Sequence, residues 1–212
     1  MEEPLKKILV IDDEAVFREA ITNALTHCNY LCIAEKNPSD GIMRLKKEPF
    51  DLVLLDIMMD PIDGWDTLAL IRSIAGGKEI PIIMSSAKKL QTEEIIRYGE
   101  LVAGFITKPF VDDEFCEAVS DFFSWYEPLI SNVKAAAMQG VPPETCTTWL
   151  RLYRQITAMN QLIEVASPRC IPDDSSTEEE CQEKRMRQIR TMVADKRKER
   201  DELRILYPVF TL

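Results

Sequence analysis

The stretch from Phe50 to Gly64 constrains the fold more than any other part of this sequence. Its first half, Phe50-Asp-Leu-Val-Leu-Leu-Asp56, is largely apolar and ends on a carboxylate, and the turn-forming residues Asp60 to Gly64 follow. A short apolar run bounded by turn residues is typical of a strand buried on both faces, as in parallel sheets covered by helices. Ligands of such sheets bind beyond the carboxyl ends of the strands. Asp56 is therefore a candidate functional residue, although Asp also commonly begins a turn after a strand.

Strand patterns and helix patterns alternate along the first half of the chain. The other predicted strands are Lys6–Asp13, Tyr30–Glu35, Ile80–Ser86 and Gly104–Lys108. Amphipathic segments with helical spacing separate them, and a further helix is predicted from about Asp112. Five such repeats predict an α/β fold with a doubly wound parallel sheet.

Polar side chains stand at the ends of four of the predicted strands. They are Asp12, Asp13, Asp56, Ser86 and Lys108. In a parallel sheet these ends meet at one edge, so three carboxylates, a hydroxyl and an ammonium should converge. Clustered carboxylates with a backbone carbonyl and waters suit Mg²⁺, and a carboxylate can act as a nucleophile toward phosphorus. The set predicts metal-assisted phosphoryl transfer; the alternative is that Asp12 and Asp13 only cap the first helix while Lys108 forms a surface ion pair.

Over about residues 5–126 these motifs resemble the receiver domain of bacterial and archaeal response regulators. The resemblance implies a five-stranded, flavodoxin-like sheet of order 2-1-3-4-5. It also implies that Asp56 accepts a phosphoryl group from a sensor histidine kinase, and that Mg²⁺ is the cofactor. Its implied ligands are Asp12, Asp13, Asp56 and the backbone carbonyl of Met58.

The same resemblance assigns a switch that responds to phosphorylation. Ser86, followed by Ala87, matches the family's Ser/Thr-Ala pair, and Phe105 matches its switch aromatic, although Phe105 fits equally well as a packed core residue. The run Lys108-Pro109-Phe110 matches the family's Lys-Pro-Phe, and we expect a cis Lys108–Pro109 bond because cis prolines mark tight turns. One departure is Asp60, which stands where the family usually has proline.

The composition of the chain bears on its cellular location and on the classes of partner it could bind. Residues 1–130 hold 24 acidic and 13 basic residues, a net charge of −11, whereas residues 131–212 hold 12 and 13, a net charge of +1. Neither part is basic enough to bind nucleic acid by charge alone. No apolar run could span a bilayer and no signal peptide is evident, so we expect a cytoplasmic location. The six cysteines lack metal-type spacing, and buried reduced thiols are the default expectation.

The C-terminal region, residues 127–212, is predicted to be an all-α extension of the receiver domain at 1–126. Helices are expected at about 129–139, 143–166 and 177–206. The second carries a heptad seam of apolar residues, namely Trp149, Leu152, Ile156, Met159, Ile163 and Ala166. Such a seam needs a partner helix. An intramolecular hairpin and intermolecular pairing fit it equally well.

Two functional interpretations follow for the whole chain. The favoured one is a phosphorylation-controlled signalling protein whose helical extension forms a homodimer or binds a partner and changes its packing on phosphorylation. The alternative is a transcriptional regulator whose extension binds DNA, although no compact helix-turn-helix, β-wing or strong basic excess is present. An enzymatic output domain is not expected, since no nucleotide-binding glycine loop or catalytic cluster follows residue 130. We expect at most self-catalysed phosphorylation and dephosphorylation.

Overall fold

A computed structural model describes residues 5–74, 76–77, 79–110, 112–166 and 177–211. These residues contain five strands and seven α-helices. These are β1 (Lys7–Ile11), α1 (Ala15–His27), β2 (Leu31–Glu35), α2 (Pro38–Lys47), β3 (Leu52–Asp56), α3 (Gly64–Ser73), β4 (Ile82–Ser86), α4 (Thr92–Tyr98), β5 (Gly104–Thr107), α5 (Asp112–Met138), α6 (Pro143–Val165) and α7 (Glu178–Leu206).

The strands form one parallel sheet of order β2-β1-β3-β4-β5, which confirms the predicted fold. All five residues of β3 are buried, as the apolar run from Leu52 predicts for a central strand. The neighbouring β1 and β4 are buried along almost their whole length, whereas the edge strand β2 is largely part-exposed. The sheet therefore places the end of β3 at its centre.

The chain divides into two compact units. One comprises Met1–Lys88 and Leu101–Val119, and the other comprises Lys89–Glu100 and Ser120–Leu212. The first contains all five strands with α1, α2 and α3, and the second contains α4, α6, α7 and most of α5. Helix α5 continues through the expected domain boundary at residue 126, with Pro128 inside it.

Helices α6 and α7 form an antiparallel hairpin within the helical unit. Residue numbers rise along one helix as they fall along the other, with Arg151 near Glu199 and Gln155 bonded to Lys196. Four members of the predicted seam are fully buried, namely Trp149, Leu152, Ile156 and Met159, while Ile163 and Ala166 are partly exposed. Ile189 and Val193 supply the buried face of α7. The seam is thus covered by a helix of the same chain.

Local signals set the ends of these two helices. Pro143 occupies the first turn of α6, where its missing N–H is not needed. The side chain of Thr177 accepts a hydrogen bond from the Glu180 amide, and the Glu180 side chain accepts one from the Thr177 amide, which together form a capping box. Beyond α5, Gly140 has φ +85°, a conformation that glycine adopts without a Cβ penalty.

The expectation of reduced thiols is wrong for Cys181, which is disulfide-bonded, and for Cys28 and Cys116, which form a disulfide with each other. They lie 88 positions apart in sequence, but the end of α1 and the start of α5 bring their Cα atoms to 6.2 Å. Such a separation is within the range that a disulfide spans. Cys32 and Cys146 are free thiols, and burial raises the pKa of each.

No helix among the described residues is long and apolar enough to cross a membrane.

Candidate phosphoryl-transfer site

Asp56 ends β3 and is 2% exposed. It pairs in register with Ser85 of β4, and Leu55 before it pairs with Ile11 of β1. Asp12 directly follows β1 and is 1% exposed. Since all three strands are parallel, their carboxyl ends lie side by side, and two carboxylates enter the interior of the sheet edge together.

Lys108 supplies the positive charge to this pair. Its Nζ lies 2.6 Å from Asp12 Oδ2 and 3.0 Å from Asp56 Oδ1, and the whole residue is 4% exposed. The ammonium also lies 4.4 Å from the centre of the Phe17 ring. The interpretation of Lys108 as a surface ion pair is therefore wrong, because the topology carries the end of β5 to buried partners from β1 and β3.

Asp12, Asp13 and Asp56 each present a carboxylate oxygen within 4.8 Å of the others. Asp12 is also held by the Glu14 amide, which donates to Oδ1, and by Arg18, whose guanidinium donates to the Asp12 carbonyl. Asp13 is exposed, and its Oδ2 accepts a long bond from the Asp60 amide. The three acids thus form one cluster that is closed on the sheet side and open on the Asp13 side.

The Asp56 carboxylate is the least satisfied member of the cluster. Among the described residues, neither of its oxygens accepts a well-aligned hydrogen bond, despite the nearby Lys108 charge. Burial raises the pKa of Asp56 above its ordinary value; Lys108 counteracts this, and the charge of Asp12 adds to it. A buried carboxylate with free lone pairs has the capacity to bind a further positive group.

These observations fit a divalent cation at the acidic cluster. Three carboxylates in mutual reach are the hard oxygen donors that Mg²⁺ takes. Lys108 Nζ lies 3.0 Å from one oxygen of Asp56, but neither oxygen accepts a well-aligned hydrogen bond from the described part of the chain. The residues that would hold the ion are Asp12, Asp13 and Asp56. Met58 follows closely, with its side chain 57% exposed, and its backbone carbonyl stays a predicted ligand.

Of the two predicted switch residues, Ser86 lies at this end of the sheet, whereas Phe105 lies near the start of β5. Ser86 ends β4, is fully buried, and its Oγ accepts a hydrogen bond from the Lys88 amide. The Lys108 amide donates to the Ser86 carbonyl, which joins β5 to β4 beyond the last ladder pair. Phe105 in β5 is 3% exposed and pairs in register with Met84. Its burial agrees with a core aromatic and leaves the switch role a prediction.

Some contributors to the site carry no clear sequence signal. Phe17 and Arg18 lie one helical turn beyond the acidic pair, and only the start of α1 beside β1 brings them to Lys108 and Asp12. Gly64 is required by close approach, because a Cβ there would lie 2.1 Å from the Asp56 carbonyl oxygen. The bonds Asp60–Pro61 and Lys108–Pro109 are both cis, and the second confirms the prediction for Lys108.

Comparison with known sequences decides the family. Residues 8–120, just over half of the chain, match the response regulator receiver domain. The chain belongs to that family. The receiver domain covers all five strands and the whole acidic cluster, and it ends within α5.

Individual relatives match the receiver domain and little else. The transcriptional regulatory protein ResD of Bacillus subtilis is 35% identical over 104 residues, which are 49% of this chain and 42% of ResD. A CheY-like receiver structure from Methanospirillum hungatei is 31% identical, with a TM-score of 0.51, and covers 57% of this chain and 95% of that one. The chain thus spans about half the length of the curated relatives it matches.

A third relative shows the fold only. It is the receiver domain of the sensor histidine kinase PA1611 from Pseudomonas aeruginosa, which is 22% identical with a TM-score of 0.51 and covers 57% of this chain and 99% of that one. That structure is described with a magnesium ion coordinated in its active site cleft.

The pKa of Asp56 predicts a pH dependence of stability in metal-free buffer. A carboxyl group whose pKa is raised in the folded state contributes stability below its unfolded pKa, and this contribution is lost as pH rises through the folded pKa. The amide introduced by Asp56→Asn does not ionise, so this variant does not lose this stability as pH rises, and it leaves Lys108 paired with Asp12. At pH 7 with a chelator we therefore expect a higher unfolding midpoint for Asp56→Asn than for the wild type, and a smaller difference near pH 4.

The control for this pH series is Glu19→Gln, an exposed carboxylate of α1. Its unfolding midpoint should follow the wild type at every pH. An Asp56→Asn midpoint at or below the wild-type value at pH 7 would contradict the assigned electrostatics.

Magnesium should stabilise the folded chain. A ligand that binds only the folded state contributes RT ln(1 + [L]/Kd), about 1.4 kcal/mol at ten times Kd. We expect Mg²⁺ to raise the wild-type unfolding midpoint, and Asp13→Asn to weaken this response because it removes a donor without unpairing Lys108. Differential scanning calorimetry across a Mg²⁺ titration measures both, with Glu19→Gln as the control; an equal response from Asp13→Asn would remove that residue from the ligand set.

Proposed function

We propose that this chain is a cytoplasmic response regulator that accepts a phosphoryl group on Asp56 from a sensor histidine kinase in a Mg²⁺-dependent step. The single observation that carries the proposal is the Asp56 carboxylate itself. It is buried at the centre of the sheet edge, next to Lys108 and two further acids, and its oxygens are unsatisfied by described residues.

The reaction forms one bond and breaks another. An oxygen of Asp56 attacks phosphorus while the nitrogen–phosphorus bond of the donor phosphohistidine breaks, and the imidazole leaves and takes up a proton. When bound, Mg²⁺ would supply positive charge against the oxygens of the transferred group. Lys108 contributes a second positive charge, already 3.0 Å from the acceptor carboxylate. Ser86, at the neighbouring strand end, offers a hydroxyl for a phosphoryl oxygen.

Labelling of the purified chain tests the acceptor. Asp56→Asn should abolish incorporation from a histidine kinase or a small phosphoryl donor, because an amide oxygen is a poor nucleophile and forms no stable acyl phosphate. The matched control is Asp60→Asn, an exposed acid four residues away that should label like the wild type. Full labelling of Asp56→Asn would show that another residue is the acceptor.

The residue two positions after the acceptor should govern the lifetime of the phosphoryl group. Met58 has an exposed thioether side chain that cannot orient a water for attack on phosphorus. Met58→Asn introduces an amide that can, so we expect dephosphorylation at least several-fold faster in a single-turnover decay assay. Met43→Asn, a similarly exposed methionine of α2, is the control. An unchanged decay rate would remove Met58 from the hydrolytic path.

We further propose that the helical region transmits the signal as a homodimer or through another protein. Support comes from its apolar side chains that stay exposed: Met138 at 90%, Ile205 at 78% and Leu206 at 70%. The alternative of DNA binding draws support from relatives named as transcriptional regulatory proteins. Those matches cover only about half of each relative, and residues 131–212 here have a net charge of only +1.

Size-exclusion chromatography with light scattering tests the homodimer. We expect beryllofluoride with Mg²⁺, a phosphoryl mimic, to increase the dimer fraction, and Ile205→Glu with Leu206→Glu to prevent this by placing charges on the apolar end of α7. Arg204→Glu is the neighbouring charge control. A monomer under all conditions, combined with a salt-sensitive shift of duplex DNA in a mobility assay, would instead favour the transcriptional alternative.

A further inference from the structure

Helix α4 belongs to the helical unit, although its sequence lies within the stretch that matches the receiver domain. The segment Lys89–Glu100 groups with Ser120–Leu212, and the strands on either side of it, β4 and β5, group with the sheet. One element of the receiver domain thus shares a compact unit with α6 and α7. The contacts that hold it there involve specific polar and charged side chains.

Three residues form a closed polar cluster at the end of this segment. The Lys196 ammonium of α7 lies 2.9 Å from Glu100 Oε1 and donates a 2.9 Å hydrogen bond to Gln155 Oε1 of α6. The Gln155 amide in turn donates a 2.9 Å bond to the Glu100 backbone carbonyl. Each residue therefore contacts the other two. Gln155 is 5% exposed and the Lys196 side chain is 11% exposed, whereas the Glu100 side chain is 39% exposed, so the cluster is shielded on the hairpin side and reaches water at Glu100.

Two more contacts join the same elements. Glu93 at the start of α4 forms an ion pair with Arg185 of α7. Gly99 is buried, and an added Cβ would lie 3.4 Å from Leu162 and 3.6 Å from Met159 of α6. The segment is therefore held to the hairpin at both ends, by charge at Glu93 and by charge, hydrogen bonding and packing at Gly99 and Glu100.

Both chain links of this segment lead to residues of the proposed site. On one side Lys88, the residue of the sheet unit that directly precedes the segment, donates its amide to the Ser86 hydroxyl. On the other side the Leu101 carbonyl accepts a 3.0 Å bond from Arg72 of α3, whereas the carbonyl of Glu100, one residue earlier, is bonded to Gln155. The carbonyls of Glu100 and Leu101 thus accept hydrogen bonds from residues of different units. Three residues after Leu101 the chain enters β5, and Lys108 follows that strand.

We propose that Glu100, Gln155 and Lys196 form a latch that holds α4 on the α6–α7 hairpin and opposes phosphorylation of Asp56. This inference rests on the proposed function of Asp56 and names the contact through which that site is regulated. The latch is closed in the arrangement in which Lys108 pairs with the Asp56 carboxylate. An acyl phosphate adds roughly −1.5 to −2 charges beside Ser86 and Lys108. The link through Lys88 begins next to Ser86, and the link through Leu101 reaches Lys108 along β5.

Thermodynamic linkage makes the latch testable from either end. If phosphorylation favours the open latch, then opening the latch must favour the phosphorylated form by the same factor. Lys196→Met removes the ammonium but keeps an unbranched apolar stem, and Glu100→Gln removes the opposing charge. Each variant should bind beryllofluoride with Mg²⁺ about five-fold more tightly than the wild type, the lower end of typical coupling factors.

Hydrogen exchange of the full chain reports the latch directly. We expect faster exchange across residues 92–100 in Lys196→Met, and faster exchange there in the wild type on addition of beryllofluoride with Mg²⁺. The exchanged pair Glu100→Lys with Lys196→Glu re-forms the ion pair but not the hydrogen bond to Gln155 Oε1, so it should recover part of the wild-type affinity and protection. Restoration separates loss of the latch from general damage to the fold. Lys198→Met, an exposed lysine of the same helix, is the matched control.

Each outcome bears on one proposal or the other. Beryllofluoride affinity of Lys196→Met at or below the wild-type value, or unchanged protection of residues 92–100 in that variant, overturns the latch. An exchanged pair whose affinity and protection lie no closer to the wild-type values than those of the two single variants also overturns it. Failure of the wild type to bind beryllofluoride or to be labelled at Asp56 contradicts the proposed function itself, whereas normal labelling with equal affinities in all variants contradicts the latch alone.

Discussion

The buried contact of Lys108 with Asp12 and Asp56 is the interaction on which the site depends. Asp12 follows β1, Asp56 ends β3 and Lys108 follows β5, so the three side chains meet only because the strands are parallel and adopt the order 2-1-3-4-5. Removing charges from water costs several kcal/mol for each ion unless they are paired. Lys108 supplies one positive charge to a cluster of three carboxylates, Asp12, Asp13 and Asp56, so a cation would improve the charge balance there.

Asp12 and Asp56 differ in the hydrogen bonds that their carboxylates accept, and this difference suits them to different roles. Asp12 is satisfied by Lys108, by the Glu14 amide and, through its carbonyl, by Arg18, so it is fixed in place. Asp56 has an ion partner but lacks well-aligned donors among the described residues, and burial raises its pKa. A fixed acid beside an unsatisfied one is the arrangement expected of a ligand and a nucleophile that share a site.

The sequence predicted the sheet and the site because both depend on local patterns. The apolar run ending at Asp56 and the pairs Asp12-Asp13 and Lys108-Pro109 encode strand ends, and parallel topology then brings them together. The disulfide was not predictable, because Cys28 and Cys116 meet only when α1 and α5 are in place. The grouping of α4 with the hairpin was equally hidden, since it depends on Glu100 meeting Gln155 and Lys196 across 55 and 96 positions. The sequence also left the partner of the Trp149 seam open, and the antiparallel approach of α7 supplies it within the chain.

Chemical trapping of the acyl phosphate identifies the phosphorylated residue directly. Borodeuteride reduces an aspartyl phosphate to deuterated homoserine and leaves free carboxylates unchanged, so peptide mass spectrometry reads the position of the acyl phosphate. After incubation with a phosphoryl donor and Mg²⁺, the account predicts homoserine at position 56 and unmodified Asp12, Asp13 and Asp60. Homoserine at another acid, or none at position 56 in a sample that carries phosphate, would contradict it.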